Sequence, residues 1–74
     1  MRTYKNLSGD SGVLAYDLGP DFITVKFLDG VKYRYSYACP GKLFVERMKK
    51  LATAGKGLST YISQTVRERY ERKE

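Results

Sequence analysis

Apolar and polar residues alternate along the chain from Ile23 to Tyr37, with one break at Asp29-Gly30. Ile23, Val25 and Phe27 recur at every second position before the break, and Val31, Tyr33, Tyr35 and Tyr37 after it. A period of two on both sides of an Asp-Gly pair predicts a half-buried β-hairpin. Loop length decides which residues share a face. A two-residue loop sets Val25 opposite Arg34 and mixes the aliphatic row with Lys32 and Arg34. A three-residue loop of Leu28, Asp29 and Gly30 pairs Phe27 with Val31, Val25 with Tyr33 and Ile23 with Tyr35, which puts the apolar residues on one face. Such a loop closes with a residue in the left-handed region, a conformation glycine adopts without steric cost. A slip of one residue would turn every side chain over, so the register with clean faces is the expected one. Thr24, Lys26, Lys32, Arg34 and Ser36 then share the opposite, polar face.

Upstream, Met1 to Asp10 shows little pattern, and Ser8 to Gly12 reads as a loop. Val13 to Asp17 is a third strand, with Leu14 and Tyr16 expected on one side and Val13 and Ala15 on the other. Leu18-Gly19-Pro20-Asp21 is a turn, so the three strands form a meander. Downstream, the period lengthens. Pro40 suits a helix start, and Lys42 to Thr53 carries Phe44, Met48 and Leu51 on one stripe with Leu43 beside them. Ala54 to Gly57 is a linker. A second helix is expected from about Leu58 or Ser59 to about Arg72, with Ser59 as N-cap and Leu58, Ile62, Val66 and Tyr70 at steps of four. Glu68 and Arg72 would pair along it, and the last few residues would fray. The expected architecture is α+β: a three-stranded antiparallel β-meander followed by two α-helices packed on one sheet face, in one domain over residues 1–74 with its core at about 11–70.

Composition narrows the chemistry. Seventy-four residues allow one domain with a small core, and 42% hydrophobic content argues against disorder. The net charge of +6 is uneven: residues 1–41 hold five basic and four acidic groups, residues 42–74 nine and four. Such a basic half favours a polyanion or an acidic protein surface. The chain has no histidine, which removes the commonest general base and neutral metal ligand. Its lone Cys39 allows no intrachain disulfide and fits a reducing, cytoplasmic setting. No apolar run reaches the length of a membrane span, and no signal-peptide core opens the sequence. Asp10, Asp17, Asp21 and Asp29 lack metal-ligand spacing, so the expectation is a non-enzyme without metal or cofactor.

Lys26, Lys32 and Arg34 form the leading candidate site. Lys26 faces Lys32 across the ladder, an unfavourable arrangement that makes sense if an anion sits there. Phosphate contacts of this kind bind without reading sequence. Lys56, between Gly55 and Gly57 ahead of a helix, is a candidate phosphate contact, although a plain helix–helix linker fits the same residues and the P-loop spacing is absent. Arg67 and Arg69, with Arg72 and Lys73, extend a basic strip along the second helix, interrupted by Glu68, Glu71 and Glu74. Tyr33 and Tyr35 are either a stacking platform for bases or core rings whose hydroxyls reach the rim.

The order of these pieces resembles the KTSC domain, a family named after the C-terminus of some lysyl-tRNA synthetases and found as small stand-alone bacterial and phage proteins. The residues that carry the resemblance are Tyr16-Asp17, Val25-x-Phe27, Asp29-Gly30, Tyr33-Arg34-Tyr35, a proline before a helix, and a Lys-Gly element before a closing helix. It covers roughly Ser11 to Tyr70 and centres on Tyr33 and Tyr35. The chain departs from it at Gly55-Lys56-Gly57-Leu58, where the family tends to have Ser-Lys-Gly followed by aromatic residues and Asn. The resemblance implies a domain of unknown function with suspected RNA binding. The expected function is therefore a small binding module for RNA or other nucleic acid, and the alternative is a protein-interaction module that docks on an acidic partner. The polar sheet face is either open or covered in a dimer.

Overall fold

The computed structural model describes every residue except Ser8 and Asp10. Five strands form one antiparallel sheet in sequence order: β1 (Arg2–Thr3), β2 (Val13–Leu18), β3 (Phe22–Phe27), β4 (Lys32–Ser36) and β5 (Arg72–Lys73). Between β4 and β5 lie α1 (Lys42–Ala54), α2 (Leu58–Tyr61) and a π-helical turn at Ile62–Val66. The fold is thus α+β with two helices, but its sheet has five strands where three were expected.

The central hairpin keeps the expected register. Ile23 pairs with Tyr35, Val25 with Tyr33 and Lys26 with Lys32. The Phe27 N–H donates to the Val31 carbonyl at 3.0 Å, and the Gly30 N–H donates back to the Phe27 carbonyl at 2.9 Å. Gly30 sits at φ 86, and the Asp29 carboxylate accepts the Val31 N–H at 3.0 Å. Turn and strands therefore agree on one pairing.

The first strand departs from simple alternation. A bulge between Val13 and Ala15 adds a residue on the β2 side. Val13 and Tyr16 both reach the core as a result, while Leu14 is 42% exposed. The first residues are also ordered into the sheet. Arg2 and Thr3 pair with Tyr16 and Ala15, and Tyr4 is buried with its hydroxyl accepting the Leu58 N–H at 3.2 Å.

α1 has the expected span, but its buried stripe is Val45, Met48 and Ala52, with Phe44 and Leu51 half-buried and Leu43 83% exposed. Pro40 bridges back to Ser36, and Gly41 takes the N-cap position. Gly55 ends the helix at φ 83, its N–H donating to the Leu51 and Ala52 carbonyls.

The second helix is the largest correction. Its buried residues Leu58, Ile62 and Val66 follow the steps of four, but Gly57 at φ 83 precedes it, so Ser59 is not the N-cap. After one α-turn it widens, and the chain leaves the helix at Arg67 with φ 49 and ψ −115. Residues 71–74 then lie along β4, so the end of the chain does not fray. The Glu71 N–H donates to the Arg34 carbonyl and the Glu74 N–H to the Lys32 carbonyl, both at 2.7 Å. The cause is the free edge of β4, whose backbone groups need partners, while the charged run after Val66 has no apolar stripe to hold it helical. Glu68 and Arg72 consequently do not pair. The ion pairs here are Arg34–Glu71 and Arg72–Glu74.

Candidate functional site

The helices cover the face that carries Ile23, Val25 and Tyr35, so the residues alternating with these look outward. Strand pairing arranges the outward positions in two rows. One row is Thr3, Ala15, Lys26 and Lys32, and the other is Asp17, Thr24, Arg34 and Arg72. Four cations thus share this face with Asp17 and with Glu74, which stands across from Lys32, while Thr24 at its centre is buried.

They are not equivalent. The Arg34 guanidinium lies 3.8 Å from the centre of the Phe22 ring, and its Nε is 3.4 Å from Glu71 Oε1. The Ser36 hydroxyl and the Arg34 guanidinium hold the Glu71 carboxyl below its ordinary value. Arg72 is paired with Glu74 at 3.0 Å. Lys26 and Lys32, both half-buried, form no ion pair among the described residues. The expected triangle of cations is therefore an opposed lysine pair beside an arginine that is already neutralised and stacked.

Lys56, Arg67 and Arg69 are not brought to this face. Lys56 is exposed in the turn between α1 and α2, next to Gly55, whose carbonyl accepts the Leu7 N–H at 2.7 Å. Arg69 lies over Phe44 of α1, 5.4 Å from its ring centre. Because the helix stops at Val66, no continuous basic strip forms along it. Arg72, whose place on the sheet face depends on β5, was legible in the sequence only as part of that strip.

Tyr33 and Tyr35 stand on the helix-covered side. Tyr35 is 1% exposed and Tyr33 half-buried. Tyr70 packs against both, at 4.9 Å from Tyr33 and 6.4 Å from Tyr35 between ring centres, and Phe27 meets Tyr33 edge-on at 5.4 Å. These four rings, with Ile62 and Arg67, line a half-open pocket of about 320 Å³ that Asp29 and Glu68 complete. Burial, reinforced by the Tyr33 and Tyr70 phenols, pushes the Tyr35 pKa well up, so the ring remains a neutral hydrogen-bond donor.

A third polar group braces the fold. The Tyr37 hydroxyl donates to Glu46 at 2.6 Å, and the Lys49 ammonium bridges Glu46 at 3.0 Å and the Gly19 carbonyl at 2.7 Å. These contacts tie α1 to the β2–β3 turn. Among the described residues no group of three or more His, Cys, Asp or Glu side chains is placed to hold a metal ion, and no helix is long and apolar enough to cross a membrane. Comparison with protein-family models, curated proteins and solved structures gives no match.

Proposed function

We propose that this chain is a small, non-catalytic, KTSC-like module of the cytoplasm that binds nucleic acid, RNA above all, through the open face of its sheet. The observation that carries this reading is the Lys26–Lys32 pair: two like charges directly opposed on the face away from the helices, neither within ion-pair distance of a carboxylate among the described residues, with Glu74 across from Lys32 engaged by Arg72. An anion between them removes the repulsion, and a backbone phosphate is an anion presented at regular spacing. The net charge of +6 adds attraction at longer range. Such contacts hold the sugar–phosphate backbone rather than read bases at this face. Arg34 contributes shape more than charge, since Phe22 and Glu71 fix it.

The test is fluorescence anisotropy with labelled single-stranded RNA over a series of salt concentrations, for wild type and for Lys26→Gln/Lys32→Gln. On a single strand, each phosphate that a lysine neutralises adds about 0.7 to the steepness of the log–log salt dependence, so the double variant should bind more weakly with a slope shallower by about 1.4. Equal affinity and equal slope would refute the site. An acidic protein surface is the other occupant this face fits. Partners retained by the wild-type protein after nuclease treatment, and absent with the double variant, would favour it.

A further inference from the structure

The aromatic pocket on the helix side of the sheet has features that packing alone does not account for. Tyr35 is 1% exposed, and buried phenols ordinarily find a partner. The tyrosine hydroxyls that make hydrogen bonds among the described residues are those of Tyr37 and Tyr4. Among the described residues no fully buried side-chain oxygen or nitrogen is unsatisfied. The sliver of Tyr35 that remains accessible therefore includes its hydroxyl, and Tyr35 lines the pocket. It is a donor without a partner among the described residues, on a ring that lines a cavity with Tyr33, Tyr70 and Phe27 and with the charged Arg67, Asp29 and Glu68.

Arg67, on the same cavity's lip, supplies a second observation. It holds φ 49 and ψ −115, a conformation side-chain-bearing residues rarely adopt, at the end of a π-helical turn. A glycine would take that backbone without strain. Strained positions and π-helical turns both concentrate at functional sites.

We infer that this pocket takes a single nucleobase, laid against Tyr33 and Tyr70, with the Tyr35 hydroxyl donating to the base and Arg67 holding the attached phosphate. The inference rests on the nucleic-acid reading, because the base belongs to the same strand whose backbone crosses the open face. β5 connects the two sides. Arg72 stands beside Arg34 on the open face, whereas Lys73 pairs with Tyr33 on the other, its Nζ 6.0 Å from the Tyr33 ring centre. A strand that passes over this edge meets Arg72 and Lys73, with Glu71 and Glu74 alternating beside them. Stacking on aromatic faces tolerates any base, which suits a site with few groups for reading sequence.

The experiment is an NMR titration with adenosine 5′-monophosphate, with ribose 5-phosphate as the base-free probe. The nucleotide should move the ring-proton resonances of Tyr33 and Tyr70, and ribose 5-phosphate should not. Tyr35→Phe removes a hydroxyl that has no partner among the described residues, so it should leave the melting temperature unchanged yet weaken the nucleotide about fivefold, the worth of one net hydrogen bond. Arg67→Gly should raise the melting temperature and weaken the nucleotide. In Lys26→Gln/Lys32→Gln the nucleotide should still move the Tyr33 and Tyr70 ring resonances as in wild type, which separates this site from the sheet face. No ring shifts at millimolar nucleotide, or equal shifts with ribose 5-phosphate, would overturn the inference even if RNA binds the lysine pair. Shifted rings with no RNA binding would overturn the shared strand and the sheet-face reading, and leave a pocket for free nucleotides.

Discussion

Gly30 and Gly55 both sit in the left-handed region, at φ 86 and φ 83, yet a side chain would meet different surroundings at each. A Cβ at Gly30 has nothing within 4 Å, whereas one at Gly55 would lie 2.6 Å from the Cβ of Lys5. Gly30→Ala should cost only the backbone penalty, roughly 1–2 kcal/mol. Gly55→Ala adds a clash between the end of α1 and the segment after β1, worth about 1–3 kcal/mol more. Chemical denaturation of the two variants checks this, and equal losses would contradict it. Acid stability is also set by individual residues. The Tyr37 hydroxyl, then Lys49, hold the Glu46 carboxyl below its ordinary value of 4.5, and the Ser36 hydroxyl and Arg34 do the same for Glu71. Carboxyls lowered on folding contribute stability that is present above pH 4.5 and is lost as pH falls through their folded-state values. The protein should therefore lose stability on acidification below pH 4.5, and Tyr37→Phe should lose it less steeply. Parallel acid-unfolding curves for the two proteins would argue against the pairing.

The elements differ in how much local sequence decides them. The hairpin is specified within a few residues: alternation on both arms, and a glycine where the loop needs a left-handed residue, leave one register, and Lys26 opposite Lys32 follows from it. The bulge at Val13–Ala15 breaks alternation without a glycine or proline to announce it, so the side to which Leu14 and Tyr16 turn was not legible. The end of the second helix depends on a partner 37 residues away in sequence. The Arg34–Glu71 contact and the β4–β5 ladder form only after the chain reverses at Arg67, and nothing near Arg67 marks a reversal. For the same reason the Tyr70 wall of the pocket and the neutralisation of Arg34 were not legible in the sequence. Deleting residues 71–74 tests the importance of that edge. The Lys32 N–H donates to the Glu74 carbonyl at 3.3 Å, so its amide should exchange rapidly in the truncated chain. Unchanged protection at Lys32 would show that β5 does not persist in solution.

Across the whole molecule, whose principal extents are 30 × 22 × 21 Å, no charged region lies far from another. The charges sort into three regions. The sheet face holds the unpaired lysines, the pocket lip holds Arg67 with Glu68, and the outer side of α1 carries Arg47 and Lys50 around a shallow groove with Leu43, Phe44 and Tyr61. Net charge alone would let RNA approach any of these. On the proposed reading, RNA settles on the first region, at Lys26 and Lys32. The most direct measurement is an amide chemical-shift map of the isotope-labelled protein titrated with a short single-stranded RNA. The largest shifts should fall at Thr24, Lys26 and Lys32 and disappear with Lys26→Gln/Lys32→Gln. Shifts confined to Leu43, Arg47 and Lys50 on α1, with the sheet amides unmoved, would contradict it.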